Sequence, residues 1–155
     1  MSRMNPLKFI LPAVLALAAF AQTPDPWAAS DLMEPAALAK RIGTRDVPMI
    51  LYVGFPNLYK SGHIPGSILV GPGAKPEGIE LMKAALANVS HDKEIVIICG
   101  CCPMDRCPNI RPTFKLAHDM GFKNVKLVPM PTNMHTDWVT KNYPFEHAAN
   151  TPPKP

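Results

Sequence analysis

Glu94-Ile95-Val96-Ile97-Ile98-Cys99-Gly100-Cys101-Cys102 runs an apolar, β-branched segment straight into a crowd of thiols. The run Ile95 to Ile98 has no polar alternation, as expected of a strand buried on both faces of a parallel sheet. Cys107 follows, so all four cysteines of the chain lie between positions 99 and 107. The next segment, Pro112 to Met120, has helical spacing, with proline in its first turn and Gly121 in the C′ position. A strand, a loop and then a helix N-terminus bring orphan N–H groups and the positive end of a helix dipole close to a sulfur. That arrangement favours a thiolate.

Working outward from this junction, strands and helices alternate. A helix begins near Ser30-Asp31-Leu32-Met33-Glu34-Pro35 and closes at Gly43. Pro48 to Val53 reads as a buried strand, 54–67 as a turn-rich connection, and Ile68-Leu69-Val70 as a second strand. Ile79 to Leu86 has helical spacing, Val125 to Val128 is a fourth strand, and Asn133 to Lys141 a last helix with Trp138 on its buried face. The alternation implies the α/β class, with a parallel β-sheet covered by helices on both faces. Ligands of such sheets bind beyond the carboxyl ends of the strands, where Cys99 lies.

At 155 residues and 47% hydrophobic content the chain is one domain in size. Residues 1–21 read as a secretory signal peptide: Arg3 and Lys8 form a positive n-region, Phe9 to Phe20 an apolar h-region, and Ala19-Phe20-Ala21 a small-residue cleavage site. Cleavage removes those two basic residues and no acidic one, so the net charge falls from +4 to +2. The expected location is periplasmic or secreted, with no stable membrane association after cleavage. The remaining Lys and Arg residues are scattered, with no basic stripe interleaved with aromatics, so nucleic acid is not the implied partner. Residues 22–30 read as an extended N-terminal segment, 31–147 as the folded domain, and 148–155 as a disordered Pro-rich tail. Oligomeric state is not legible.

An exported chain with four cysteines normally suggests a disulfide framework. These four, however, could close loops of only a few residues, which stabilise little. The clustering points instead to reactivity, a metal or a local redox switch.

Three segments together resemble the rhodanese-like domains, a family of single-domain sulfurtransferases. Tyr59-Lys60-Ser61-Gly62-His63-Ile64-Pro65-Gly66-Ser67 is similar to the family's G-H-I-P-G-[AS] turn. Ile95 to Cys99 resembles the strand that ends on its active-site cysteine. Gly121-Phe122-Lys123-Asn124-Val125, Leu127, Trp138 and Tyr143-Pro144 resemble its C-terminal run. The resemblance covers about Met33 to Pro144. Two departures stand out. Tyr52-Val53-Gly54 occupies the place of the usual Asp-x-Arg pair, and the cysteine loop is longer than the family's.

The resemblance implies an enzyme that moves sulfane sulfur through a cysteine persulfide, from a small-molecule donor such as thiosulfate to cyanide or a thiol. No cofactor is implied. Cys99 is the first choice of nucleophile, Cys101 and Cys102 are alternatives, and Cys107 is a candidate resolving thiol. Gly100 lets the loop turn, and Arg106 and Arg111 could bind an anionic donor through their guanidinium forks. The competing reading is a non-enzymatic module that holds Cu(I) or zinc on its thiolates, or acts as a redox switch. The Cys-x-Cys-Cys-x4-Cys spacing is not a usual zinc pattern, and no histidine lies in the loop. Met104, Met120, Met130 and Met134 flank the loop in sequence and would also suit a soft metal. Oxyanion chemistry of the phosphatase kind wants Cys-x5-Arg: Cys99 to Arg106 is one residue too long and Cys101 to Arg106 one too short. His63 is expected to tie its turn by hydrogen bonds. His135 and Asp137 are expected at a capped helix start, with the option of lining the same pocket. His91, His118 and His147 are expected to be exposed.

Overall fold

The computed structural model describes residues 24–147. The expected signal peptide and the Pro-rich tail lie outside them. Four strands, β1 (Met49–Tyr52), β2 (Ile68–Leu69), β3 (Ile95–Ile98) and β4 (Val125–Leu127), form one parallel sheet in the order β2-β1-β3-β4. Leu32 adds a parallel bridge to Leu127 beyond β4, supported by the Met33 N–H donating to the Leu127 carbonyl at 2.8 Å.

Alternation along the strands divides the core in two. Leu51, Ile95, Ile97, Val125 and Leu127 face a layer that contains Met82 and Leu86 of α3 (Pro76–Leu86). The same layer contains Ile110, Phe114 and Ala117 of α4 (Ile110–Asp119). Ile50, Tyr52, Val96 and Ile98 face the opposite layer, with Leu38 of α1 (Pro35–Arg41), Met134 of α5 (Met134–Asp137) and Trp138. Helices therefore cover both faces, as the near-continuous apolar strands require.

Helix boundaries follow local chemistry. Pro35 and Pro76 occupy the first turns of α1 and α3, where an absent N–H costs nothing. α4 ends in a Schellman motif: Gly121, at φ +90°, donates to the His118 carbonyl, and Phe122 donates to that of Ala117.

Two elements differ from expectation. The stretch 54–67 holds a helix, α2 (Pro56–Ser61), which is six residues long and mostly exposed, so it carries no apolar period to read. The expected helix Asn133 to Lys141 is two pieces, α5 and a 3-10 turn over Val139–Lys141. The break is at Trp138 (φ −127°, ψ −59°), whose fully buried indole donates to the Pro144 carbonyl at 2.8 Å. The N-terminal segment is anchored at Asp25 and Trp27. Asp25 pairs with Arg111, and Trp27 packs edge-on against Phe114 at 5.9 Å between centroids.

Candidate functional site

The loop between β3 and α4 gathers the four sulfurs at the carboxyl end of the sheet, all within 4.8 Å of one another. Cys99 Sγ lies 3.1 Å from Cys101 Sγ, and Cys101 Sγ lies 3.0 Å from Cys102 Sγ. All four are free thiols. Cys99 and Cys107 are buried, at 3% and 0% exposure, while Cys101 and Cys102 are half-buried.

The period-2 alternation of β3 decides where each of the first two residues points. Cys99 continues the side of Ile95 and Ile97 and packs into the α3–α4 layer. Gly100 takes the other side, where a Cβ would lie 2.9 Å from Met134 Cβ and 3.4 Å from Tyr52 Oη. Because that side chain is absent, a cavity of about 700 Å³ reaches the loop, lined by Tyr52, Gly100, Cys101, Met134, His135, Phe145 and His147 among others. Cys101 is the one cysteine on its wall.

Asn109, 1% exposed, holds the loop from behind. Its Oδ1 accepts from the Ala74 N–H at 3.0 Å, and its Nδ2 points at Cys99 Sγ at 3.7 Å. Its role escaped the sequence reading, which singled out no residue between Cys107 and Arg111. Tyr52 was legible as a strand residue, but not as a wall of the cavity.

The thiols share their charge unequally. Hydrogen bonding from Cys101 and then Cys99, with help from the Asn109 backbone N–H, holds Cys107 far below the usual thiol range. At Cys99 the bond from Cys101 lowers the pKa, but Cys107 and burial outweigh it and push the group up to about 12. Cys101 is raised by its bonds to Cys107 and Cys99 and then by burial; Cys102 is raised chiefly by burial. One anion forms readily in this cluster, and each further one is opposed.

Of the expected substrate-binding residues, only Gly100 lines the cavity. α4 begins at Ile110 rather than Pro112, and a 3-10 turn over Met104–Arg106 carries the loop outward. Arg106 is left 80% exposed beside Asp105. Arg111 pairs with Asp25, donates to the Asp105 carbonyl at 2.9 Å and lies over Trp27. Both therefore face the N-terminal segment, and among the described residues no Lys or Arg lines the cavity.

The His63 turn has the structural form expected of it. Ile64-Pro65-Gly66-Ser67 is a type II turn with Gly66 at φ +76° and the Ser67 N–H donating to the Ile64 carbonyl. The His63 ring stacks on Tyr59 at 3.8 Å; Nδ1 meets the Tyr59 carbonyl at 2.8 Å and Nε2 meets Glu146 at 3.2 Å. Asp137 accepts from the N–H groups of Thr132 and Asn133 at the start of α5, while His135 reaches the cavity. His91 and His118 are exposed, as expected. His147 is exposed too, but it also lines the cavity and bonds the Ser61 carbonyl.

The model of the rhodanese-like domain matches residues 34–129. The chain belongs to the rhodanese-like domain family. Solved structures agree on this fold. The rhodanese-like domain of the Alr3790 protein from Anabaena sp superposes with a TM-score of 0.55 at 18% identity, over 81% of this chain and 86% of that one. The BH2092 protein from Bacillus halodurans gives 0.57 at 24% identity, over 77% and 78%. A hercynine complex of EanB with a cysteine-to-serine substitution gives 0.52 at 18% identity, over 75% of this chain and 27% of that one. No curated protein matches the sequence. Within this rhodanese-like domain, the four cysteines each offer one sulfur, close enough together that they could hold a metal ion.

Proposed function

We propose that the protein is an exported sulfurtransferase, working in the periplasm or outside the cell, that carries sulfane sulfur as a persulfide on Cys101. What supports this is the position of Cys101 as the one cysteine on the wall of the open cavity, at the carboxyl end of a rhodanese-like sheet. Cys99, the nucleophile favoured by its place at the strand end, supports its neighbour from the buried side at 3.1 Å.

In the reaction, Cys101 yields its proton to the neighbouring Cys107 thiolate, to which it is hydrogen-bonded, as its sulfur attacks the outer sulfur of a donor such as thiosulfate. A sulfur–sulfur bond forms to Cys101, the donor's bond breaks, and sulfite leaves with the electron pair. Cyanide or a thiolate then attacks the terminal sulfur of the persulfide and Cys101 departs as a thiolate. Among the described residues the wall carries His135 and His147 but no Lys or Arg, and its breadth exceeds what a small dianion fills. The site therefore suits an organic persulfide better than thiosulfate.

The test is an intact mass of the reduced, metal-free protein after exposure to each donor. A gain of one sulfur that maps to Cys101, and is discharged by cyanide, is the expected result. Unmodified thiols with both donors would refute sulfur transfer at this site.

A further inference from the structure

We infer that the cysteine loop is also a copper site, in which Cys99, Cys101 and Cys107 hold one Cu(I) ion with Cys102 at the rim. The donor set is all sulfur: among the described residues, no histidine or carboxylate joins the four thiols. Thiolates select Cu(I), zinc and iron–sulfur clusters, and four sulfurs within 4.8 Å of one another leave no room for a cluster between them, so Cu(I) and zinc remain.

Geometry separates these two. A tetrahedral zinc site with Zn–S near 2.3 Å spaces its sulfurs by about 3.8 Å along all six edges at once. Here two short edges, Cys99–Cys101 at 3.1 Å and Cys101–Cys102 at 3.0 Å, share Cys101; four-coordinate zinc must spread both at once, whereas a Cu(I) ion on Cys99, Cys101 and Cys107 opens only the first. Cu(I) needs only two or three sulfurs, so the adjacent pair need not both bind.

Charge points the same way. Four thiolates around Zn(II) leave two net negative charges in a largely buried loop, and the loop's two guanidinium groups face elsewhere. Three thiolates with Cu(I) leave the same net charge, and two leave half of it, so copper alone can trade ligands for charge as the loop permits. The surroundings also suit Cu(I). Cys99 and Cys107 lie in an apolar layer with Ile97, Ile110 and Phe114, which keeps water from an ion that disproportionates when it is hydrated.

The site shares Cys101 with the proposed sulfur transfer, but copper binding does not depend on that reaction. The experiment titrates Cu(I) into the reduced protein, without any sulfur donor, in competition with a chromophoric Cu(I) chelator. One equivalent held against the chelator is expected, along with ultraviolet thiolate-to-copper charge transfer and protection of Cys101 from alkylation. Cys102→Ser should keep that stoichiometry, whereas Cys107→Ser should weaken binding at least tenfold while its far-ultraviolet dichroism stays native. Failure to hold Cu(I) against the chelator overturns the proposal. So does preferential uptake of Zn(II), with Co(II) substitution giving the spectrum of a tetrahedral four-thiolate site. Persulfide formation on metal-free protein is read separately, so either idea can fail alone.

Discussion

Cys99 and Cys101 bring their sulfurs within 3.1 Å of each other across Gly100, yet one is sealed in the α3–α4 layer and the other opens on the cavity. The pair thus combines an accessible nucleophile with a buried neighbour close enough to donate to it or to trap it.

A serine scan separates these roles. Cys101→Ser should abolish persulfide formation, because the one thiol on the cavity wall is gone. Cys99→Ser should slow it without abolishing it, and Cys102→Ser should leave it within a few-fold of the parent. Intact mass after exposure to an organic persulfide reads all three. Full activity in Cys101→Ser would return the nucleophile to Cys99.

Gly100→Ala should close the path to Cys101. The new methyl would lie 2.9 Å from Met134 Cβ and 3.1 Å from Met134 Cε. Overpacking of this kind costs about 1–3 kcal/mol. Alkylation of Cys101 should slow by more than the loss of stability explains, which a comparison of labelling rates with urea midpoints would show.

Asn109→Ala should loosen the loop from behind. It strands the Ala74 N–H and removes the donor aimed at Cys99. An unmet buried amide costs about 1–3 kcal/mol, and the urea midpoint should fall accordingly. Hydrogen exchange at Ala74 should rise in the same variant.

Glu94 sets a pH dependence remote from the thiols. Its hydrogen bond with Arg41 holds its carboxyl below the usual value of 4.5, against the opposing effect of burial. A depressed folded pKa means that the contribution is present above the unfolded value and is lost as pH falls through the folded one. Glu94→Gln should therefore lower stability by about 1 kcal/mol near neutrality and flatten the decline below pH 4.5. Denaturation midpoints measured from pH 7 downward test both parts. An unchanged acid limb would sink the assignment.

The class and most of the order of elements were legible because they rest on short-range chemistry. Uninterrupted apolar strands, prolines at helix starts and Gly121 at a helix end act through local sterics and through burial on both faces of the sheet. The G-H-I-P-G-S turn was legible for the same reason, since Pro65 and Gly66 dictate its backbone. α2 was not, because a six-residue helix with most of its surface in solvent leaves no periodic trace.

The sequence by itself determined that four thiols cluster where a parallel strand meets a loop. Only the tertiary structure decided which of them opens on the cavity. That choice depends on the side of β3 to which Cys99 is committed, and on Tyr52 and Met134 arriving from distant segments to enclose the empty side of Gly100. The fate of Arg106 and Arg111 was decided in the same way. Asp25 and Trp27, more than eighty positions away from Arg111, draw that guanidinium off the site. Spacing within a loop cannot encode such partners, because they are supplied by chain that returns from elsewhere in the fold.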